Sequence, residues 1–160
     1  MKAPIMPKIA LDQIPVKTAC AYPAPYDAIC KGREKQVLGN AGGLTQFGVN
    51  LTRLKPGAAS AHRHWHQCED EFVYILEGEA VLVEDDGETL LRAGDAAAFK
   101  AGVENGHMLV NRSDADCLFL EIGTRSDNDT VAYTDPQIDM RAIKRGSTEW
   151  ILRRRDGSAF

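Results

Sequence analysis

Between residues 44 and 122 the chain is a succession of short apolar runs, rich in β-branched, aromatic and aliphatic residues, each closed by a turn sequence. The turns are Lys55-Pro56-Gly57, Glu77-Gly78-Glu79, Asp85-Asp86-Gly87, Ala93-Gly94-Asp95 and Asn111-Arg112-Ser113-Asp114. They delimit strands over residues 45–54, 62–66, 71–76, 79–84, 88–91, 96–100, 106–111 and 117–123. Strands of this length at this spacing predict an all-β sandwich or barrel. Asp86-Gly87, between Val81-Leu82-Val83 and Thr89-Leu90-Leu91, is the strongest hairpin signal. Helical periodicity does not exceed two turns, apart from a short stretch around residues 25–31.

One strand is apolar on both faces. Phe72, Tyr74 and Leu76 take one parity and Glu71, Val73 and Ile75 the other, so both faces are expected to be buried. One would fill the barrel and the other would meet a second copy of the chain, making a homodimer. Around the barrel of residues 44–123, residues 1–43 read as an extended N-terminal arm with first strands, carrying five of the seven prolines in its first 35 residues. Residues 124–160 read as a C-terminal extension, polar and then basic at Arg153-Arg154-Arg155, a solvated end.

Composition narrows the function classes. A chain of 160 residues makes one domain, and 44% hydrophobic with 26% charged residues is ordinary for a globular one. The net charge of -4 gives no basic face for nucleic acid. No apolar run approaches the length of a membrane span, so no membrane partner is expected. The opening Lys2-Ala3-Pro4-Ile5-Met6-Pro7-Lys8 has prolines where a leader would need an apolar core. Four cysteines, Cys20, Cys30, Cys68 and Cys117, without a CxxC pair, predict free thiols in a reducing cytoplasm rather than a disulfide framework or zinc cage.

The chemistry concentrates in the histidines. Three of the four fall within five residues, His62, His64 and His66. On a strand His64 and His66 share a face, with Arg63 and Trp65 turned away. Glu71 follows after a bend, and His107 lies on a later strand. Neutral imidazoles bind borderline metal ions without adding charge, and one carboxylate offsets part of a dication's charge. Fewer than six protein ligands leave room for substrate. His62 shares the parity of His64 and His66 and is the candidate proton-moving residue. Lys100 and Arg112 are candidate attractors of an anionic substrate, with plain surface charge as the alternative. Cys68, close to the histidines in sequence, is read as a loop thiol.

The spacing His64-x-His66, four residues, Glu71, six residues, Gly78 resembles the first motif of the cupin superfamily. The segment Gly94-Asp95-Ala96-Ala97-Ala98-Phe99-Lys100-Ala101-Gly102, followed by His107, resembles the second. Lys100 stands where that motif usually has proline, and four residues separate Gly102 from His107. The resemblance implies a double-stranded β-helix, a jelly-roll barrel with the metal inside. It places His64, His66, Glu71 and His107 in the ligand positions for one divalent transition metal ion: iron, manganese, nickel or zinc. Gly78 and Gly94 fall at its turns. The chain also resembles single-domain bacterial cupins taken for sugar-phosphate isomerases. That implies a metal-dependent enzyme on a small polar substrate, with a non-haem iron dioxygenase or a non-catalytic small-molecule-binding cupin as alternatives.

Overall fold

The computed structural model describes residues 8–146 and 149–160. In chain order the elements are β1 (Arg33–Val37), the single helical turn α1 (Leu38–Ala41), β2 (Phe47–Leu54), β3 (His64–His66), β4 (Glu71–Glu77), β5 (Glu79–Glu84), β6 (Gly87–Arg92), β7 (Ala96–Phe99), β8 (Met108–Val110), β9 (Cys117–Thr124), β10 (Asn128–Tyr133), β11 (Arg141–Arg145) and β12 (Glu149–Arg153). Leu11–Gln13 and Tyr26–Cys30 are 3-10 turns, the second lying where the sequence suggested a short helix. Among the described residues the strands form antiparallel sheets in the orders β1-β2-β9-β4-β7, β12-β11-β10-β3 and β6-β5-β8. The fold is all-β, a jelly-roll barrel.

Alternation along the strands decides what the barrel holds. On β4, Val73 and Ile75 point inward and are buried, and they meet Leu54, Leu82, Leu91, Leu109, Cys117 and Phe119 in the main core. Phe72, Tyr74 and Leu76 point outward and remain 38–39% exposed, so within one chain only one face of this strand is buried, not both. The hairpin expected near Asp86 forms, but its two-residue turn is Asp85-Asp86. Gly87, at φ +135°, already pairs with Glu84 as the first residue of β6. The turn from β4 to β5 depends on Gly78: its φ is +71°, and a Cβ there would strike the Asp116 carbonyl oxygen.

The C-terminal end differs from expectation. Beyond residue 124 the sequence suggested no strands, yet β10, β11 and β12 form there. Their alternation is masked because buried positions carry polar groups: Asp129 and Lys144 are 3% and 5% exposed. Strand β10 pairs with β3 in the register Val131↔His66 and Tyr133↔His64, so this extension braces the histidine strand. The arm lies across the domain, with Lys17 bridged to Lys35 and Gln36 Nε2 donating to the carbonyls of Leu11 and Ile14. Its first seven residues, with Pro4 and Pro7, lie outside the described ones. Tyr22 and Tyr26 pack on a second core of Val131, Tyr133, Ile138, Met140 and Ala142. Contrary to the expectation of four free thiols, Cys20 and Cys30 form a disulfide, closing the loop that carries both tyrosines. The Cα atoms stand 6.2 Å apart, within reach of a bridge, because the loop folds back at the Tyr26–Cys30 turn. Cys68 is free and exposed, and Cys117 free and buried.

Candidate metal centre

Three elements carry the four residues singled out from sequence to one point. Strand β3 presents His64 and His66 on one face, the start of β4 presents Glu71, and His107 stands just before β8, bridged to His64 backbone to backbone. Glu71 lies at the centre: its Oε2 is 2.8 Å from His107 Nε2 and 3.6 Å from His64 Nε2, and its Oε1 is 3.4 Å from His66 Nε2. One ligand atom from each of His64, His66 and Glu71 can lie within 4.8 Å of the others. Arg63 turns outward to Asp85 and the Glu84 carbonyl, as alternation requires.

The protons on these rings follow from their outer partners. His64 Nδ1 is 2.7 Å from the His62 carbonyl, which can only accept, so this nitrogen carries a hydrogen. His66 Nδ1 is 2.5 Å from Asp129 Oδ2. Burial works against the Asp129 anion, but His66 and the Cys68 backbone N–H outweigh it, and the carboxyl stays below its ordinary value. It therefore accepts, and His66 Nδ1 donates. Both inward nitrogens, His64 Nε2 and His66 Nε2, thus face the Glu71 carboxylate. Burial lowers the His66 pKa, but Asp129 and Glu71 lift it to about 10, so without a metal His66 keeps a proton. Burial likewise opposes the Glu71 anion, yet His107, His64 and His66 hold its carboxyl well below the usual range.

The residues therefore fit a borderline divalent ion, with imidazole nitrogens and one carboxylate converging and each strand histidine braced from behind. His107 is held differently. Burial keeps its pKa low, its Nε2 hydrogen-bonds Glu71, and its Nδ1 is buried without a partner among the described residues. Phe99 stacks on its ring at 3.6 Å and fixes the ring plane.

A cavity of about 590 Å³ opens onto this cluster, in the size range of small-ligand sites. Phe99, Phe119 and Val131 form apolar wall, while Tyr22, Arg33 and Tyr133 supply polar atoms. Burial raises the Tyr22 and Tyr133 phenols, Tyr133 very far, so both keep their protons. His62 lies behind this pair. Its Nε2 is 2.8 Å from the Tyr26 carbonyl, and its ring centroid is 5.1 Å from that of Tyr22 and 6.5 Å from that of Tyr133. Arg112 grips Glu88 through two 2.6 Å bonds on the surface, and Lys100 is exposed and lines a smaller cavity of about 190 Å³ that also touches His66, Glu71 and His107.

Tyr22, Arg33, Asp129 and Tyr133 do not stand out in the sequence pattern. The alternation of Arg33, Lys35 and Val37 on β1, and of Asp129, Val131 and Tyr133 on β10, was the available signal. It was hidden because the inward positions are mostly not apolar.

Comparison with known proteins follows the same lines. Residues 50–123 match the cupin domain family. No curated protein matches the chain. Among solved structures, a sugar phosphate isomerase of the cupin superfamily from Silicibacter pomeroyi is 47% identical, with 96% of each chain covered and a TM-score of 0.90. A candidate sugar phosphate isomerase from Acidithiobacillus ferrooxidans is 30% identical, with 80% of each chain covered and a TM-score of 0.70. A polyketide cyclase from Streptomyces resistomycificus, 22% identical over 74% of this chain and 79% of its own, shares the fold at a TM-score of 0.60.

Proposed function

As the chain belongs to the cupin superfamily, we propose that it is a metal-dependent enzyme acting on a small polar substrate, and specifically a sugar phosphate isomerase. The observation that carries the metal is the pair of braced histidines whose inward nitrogens face one carboxylate. The substrate class rests on the name borne by the 47% identical protein. His64, His66 and Glu71 hold the ion, with His107 as fourth ligand; it is iron, manganese, nickel or zinc. When bound, such an ion polarises neighbouring carbonyl and hydroxyl oxygens and stabilises the charge left as a proton leaves carbon.

The chain's own groups do the rest. Asp129 keeps the proton of His66 on Nδ1 and thereby its lone pair on Nε2. Tyr22 and Tyr133, both protonated, hydrogen-bond substrate oxygens at the cavity wall. His62 acts through the tyrosine pair, since its Nε2 proton is committed to the Tyr26 carbonyl. Phe99, Phe119 and Val131 exclude water beside the reacting carbon.

We propose further that two copies associate through the outer face of β4. Phe72 and Tyr74 are flanked in register by Ile122 and Leu120 of β9 on one side and Ala98 and Ala96 of β7 on the other, an apolar surface continuous over three strands. Surfaces of that kind mark association sites.

The test is elemental analysis of protein purified without chelator or affinity nickel, together with solvent-deuterium exchange into aldose phosphates. Wild type should carry about one transition metal ion per chain and label the sugar without consuming oxygen. His66→Ala should lose most of the metal. His62→Ala should keep it, because His64 is braced by the His62 backbone carbonyl and not by its ring. Oxygen consumption would instead identify a dioxygenase. Ligand-induced thermal stabilisation without turnover would identify a binding protein.

A further inference from the structure

Charge balance around the cavity singles out one cation. Arg33, Lys35, Arg125 and Lys144 all line it. Lys35 is matched by Glu121 at 2.7 Å, and Lys144 is buried against Glu69. Arg125 is tied down at the rim, with its two terminal nitrogens donating to the Leu44 carbonyl and the Asn40 side chain. Arg33 has neither arrangement. Among the described residues no carboxylate pairs with it, and its one hydrogen bond runs from Nη1 to the Ser60 carbonyl at 2.6 Å. Its other donors have no protein acceptor among the hydrogen bonds of the described residues.

Its position fits a ligand rather than bulk solvent. On β1 the side chains of Arg33, Lys35 and Val37 face the cavity, while Glu34 turns outward to Arg53 and Lys55. Tyr22 and Glu71 line the same cavity as Arg33, and the Tyr22 phenol feels both charges. A half-buried guanidinium with a neutral partner and unfilled donors suits an oxyanion, which it can grip through two parallel bonds.

We propose that Arg33 anchors the phosphate of the substrate in the cavity that also reaches Glu71 and the histidines. The cavity would then take a phosphate monoester whose phosphate sits on β1 and whose carbonyl and hydroxyl end reaches Glu71 and the histidines. This deepens the isomerase assignment and rests on it for the reacting end. The cation itself is defined independently of that reaction.

Inorganic phosphate is the probe, titrated calorimetrically into metal-loaded protein. Wild type should bind it, and Arg33→Met should weaken binding at least tenfold with metal content and melting temperature unchanged. Arg33→Lys should recover part of the affinity, and Arg125→Gln should bind as wild type. Equal phosphate affinity in wild type and Arg33→Met would overturn the assignment, since phosphate would then sit on the metal or elsewhere. So would the absence of phosphate binding to wild type, or acetate binding as tightly as phosphate, which would indicate a carboxylate ligand. Phosphate binding through Arg33 in a wild type that takes up no metal and turns over no sugar phosphate would overturn the metal-enzyme reading and leave this subsite standing.

Discussion

Asp129 stands one residue behind the candidate metal cluster and orients it. Its Oδ2 takes the His66 proton and its Oδ1 takes the Cys68 backbone N–H at 2.8 Å, so it orients the ring and closes the following loop together. Asp129→Asn preserves shape and the Cys68 bond but turns an N–H₂ toward His66 Nδ1. The proton then moves to Nε2, the nitrogen that would hold the proposed metal. Metal affinity should fall about 10–100-fold, measured by competition with a chromophoric chelator, while the far-ultraviolet dichroism stays that of wild type. Unchanged affinity would remove Asp129 from the cluster. His107→Ala should lose less metal than His66→Ala, because among the described residues no group behind His107 holds its Nδ1 proton. The cysteines separate just as sharply. Burial pushes the Cys117 thiol up to about 11, whereas Cys68 is exposed. A thiol reagent should therefore modify Cys68 alone in the native protein, add Cys117 on unfolding, and reach Cys20 and Cys30 only after reduction. Two further thiols in the unfolded, unreduced protein would show that the disulfide does not form.

At the scale of elements, the short histidine strand has no stability of its own. Three residues cannot make a sheet, and β3 is held by β10 on one side and by the backbone bridge to His107 on the other. The cluster is therefore a property of the strand packing rather than of the motif's loop. The β4–β5 connection is equally constrained. Gly78→Ala combines a left-handed backbone at φ +71° with a Cβ driven into the Asp116 carbonyl, which belongs to the segment entering β9. The strain alone should cost about 1–3 kcal/mol, read as a lowered denaturation midpoint in urea. A substitution at Gly87, whose Cβ would meet nothing within 4 Å, should be milder despite its φ of +135°. Equal losses at the two positions would count against the role given to the close approach.

For the whole molecule, the arm and the C-terminal sheet form one wall of the cavity. Tyr22 comes from the first, Tyr133 from the second, and both pack in the same small core. No helix of the described structure is long and apolar enough to cross a membrane. The outer face of β4, with Phe72, Tyr74 and Leu76 at 38–39% exposure, governs assembly in our proposal. Sedimentation equilibrium should report about twice the 17.5 kDa chain mass, and Tyr74→Glu should return the species to a single chain with its metal retained. A wild-type monomer would sink the interface.

The sequence alone determined the barrel strands between residues 44 and 122 and the convergence of His64, His66, Glu71 and His107. Those features obey short rules: alternation of period two, glycine at left-handed turns, and ligand types at motif spacing. It could not reveal β10–β12, whose inward positions carry Asp129 and Lys144, because a buried charge looks like a surface charge until its partner is known. Nor could it show that His62 turns to Tyr26 rather than to Glu71, that Cys20 meets Cys30, or that Arg33 has no carboxylate partner among the described residues. Each of these depends on which distant segments the fold brings into contact. Pairing, burial and the balance of charge are properties of neighbours in space, and only the tertiary structure supplies the neighbours.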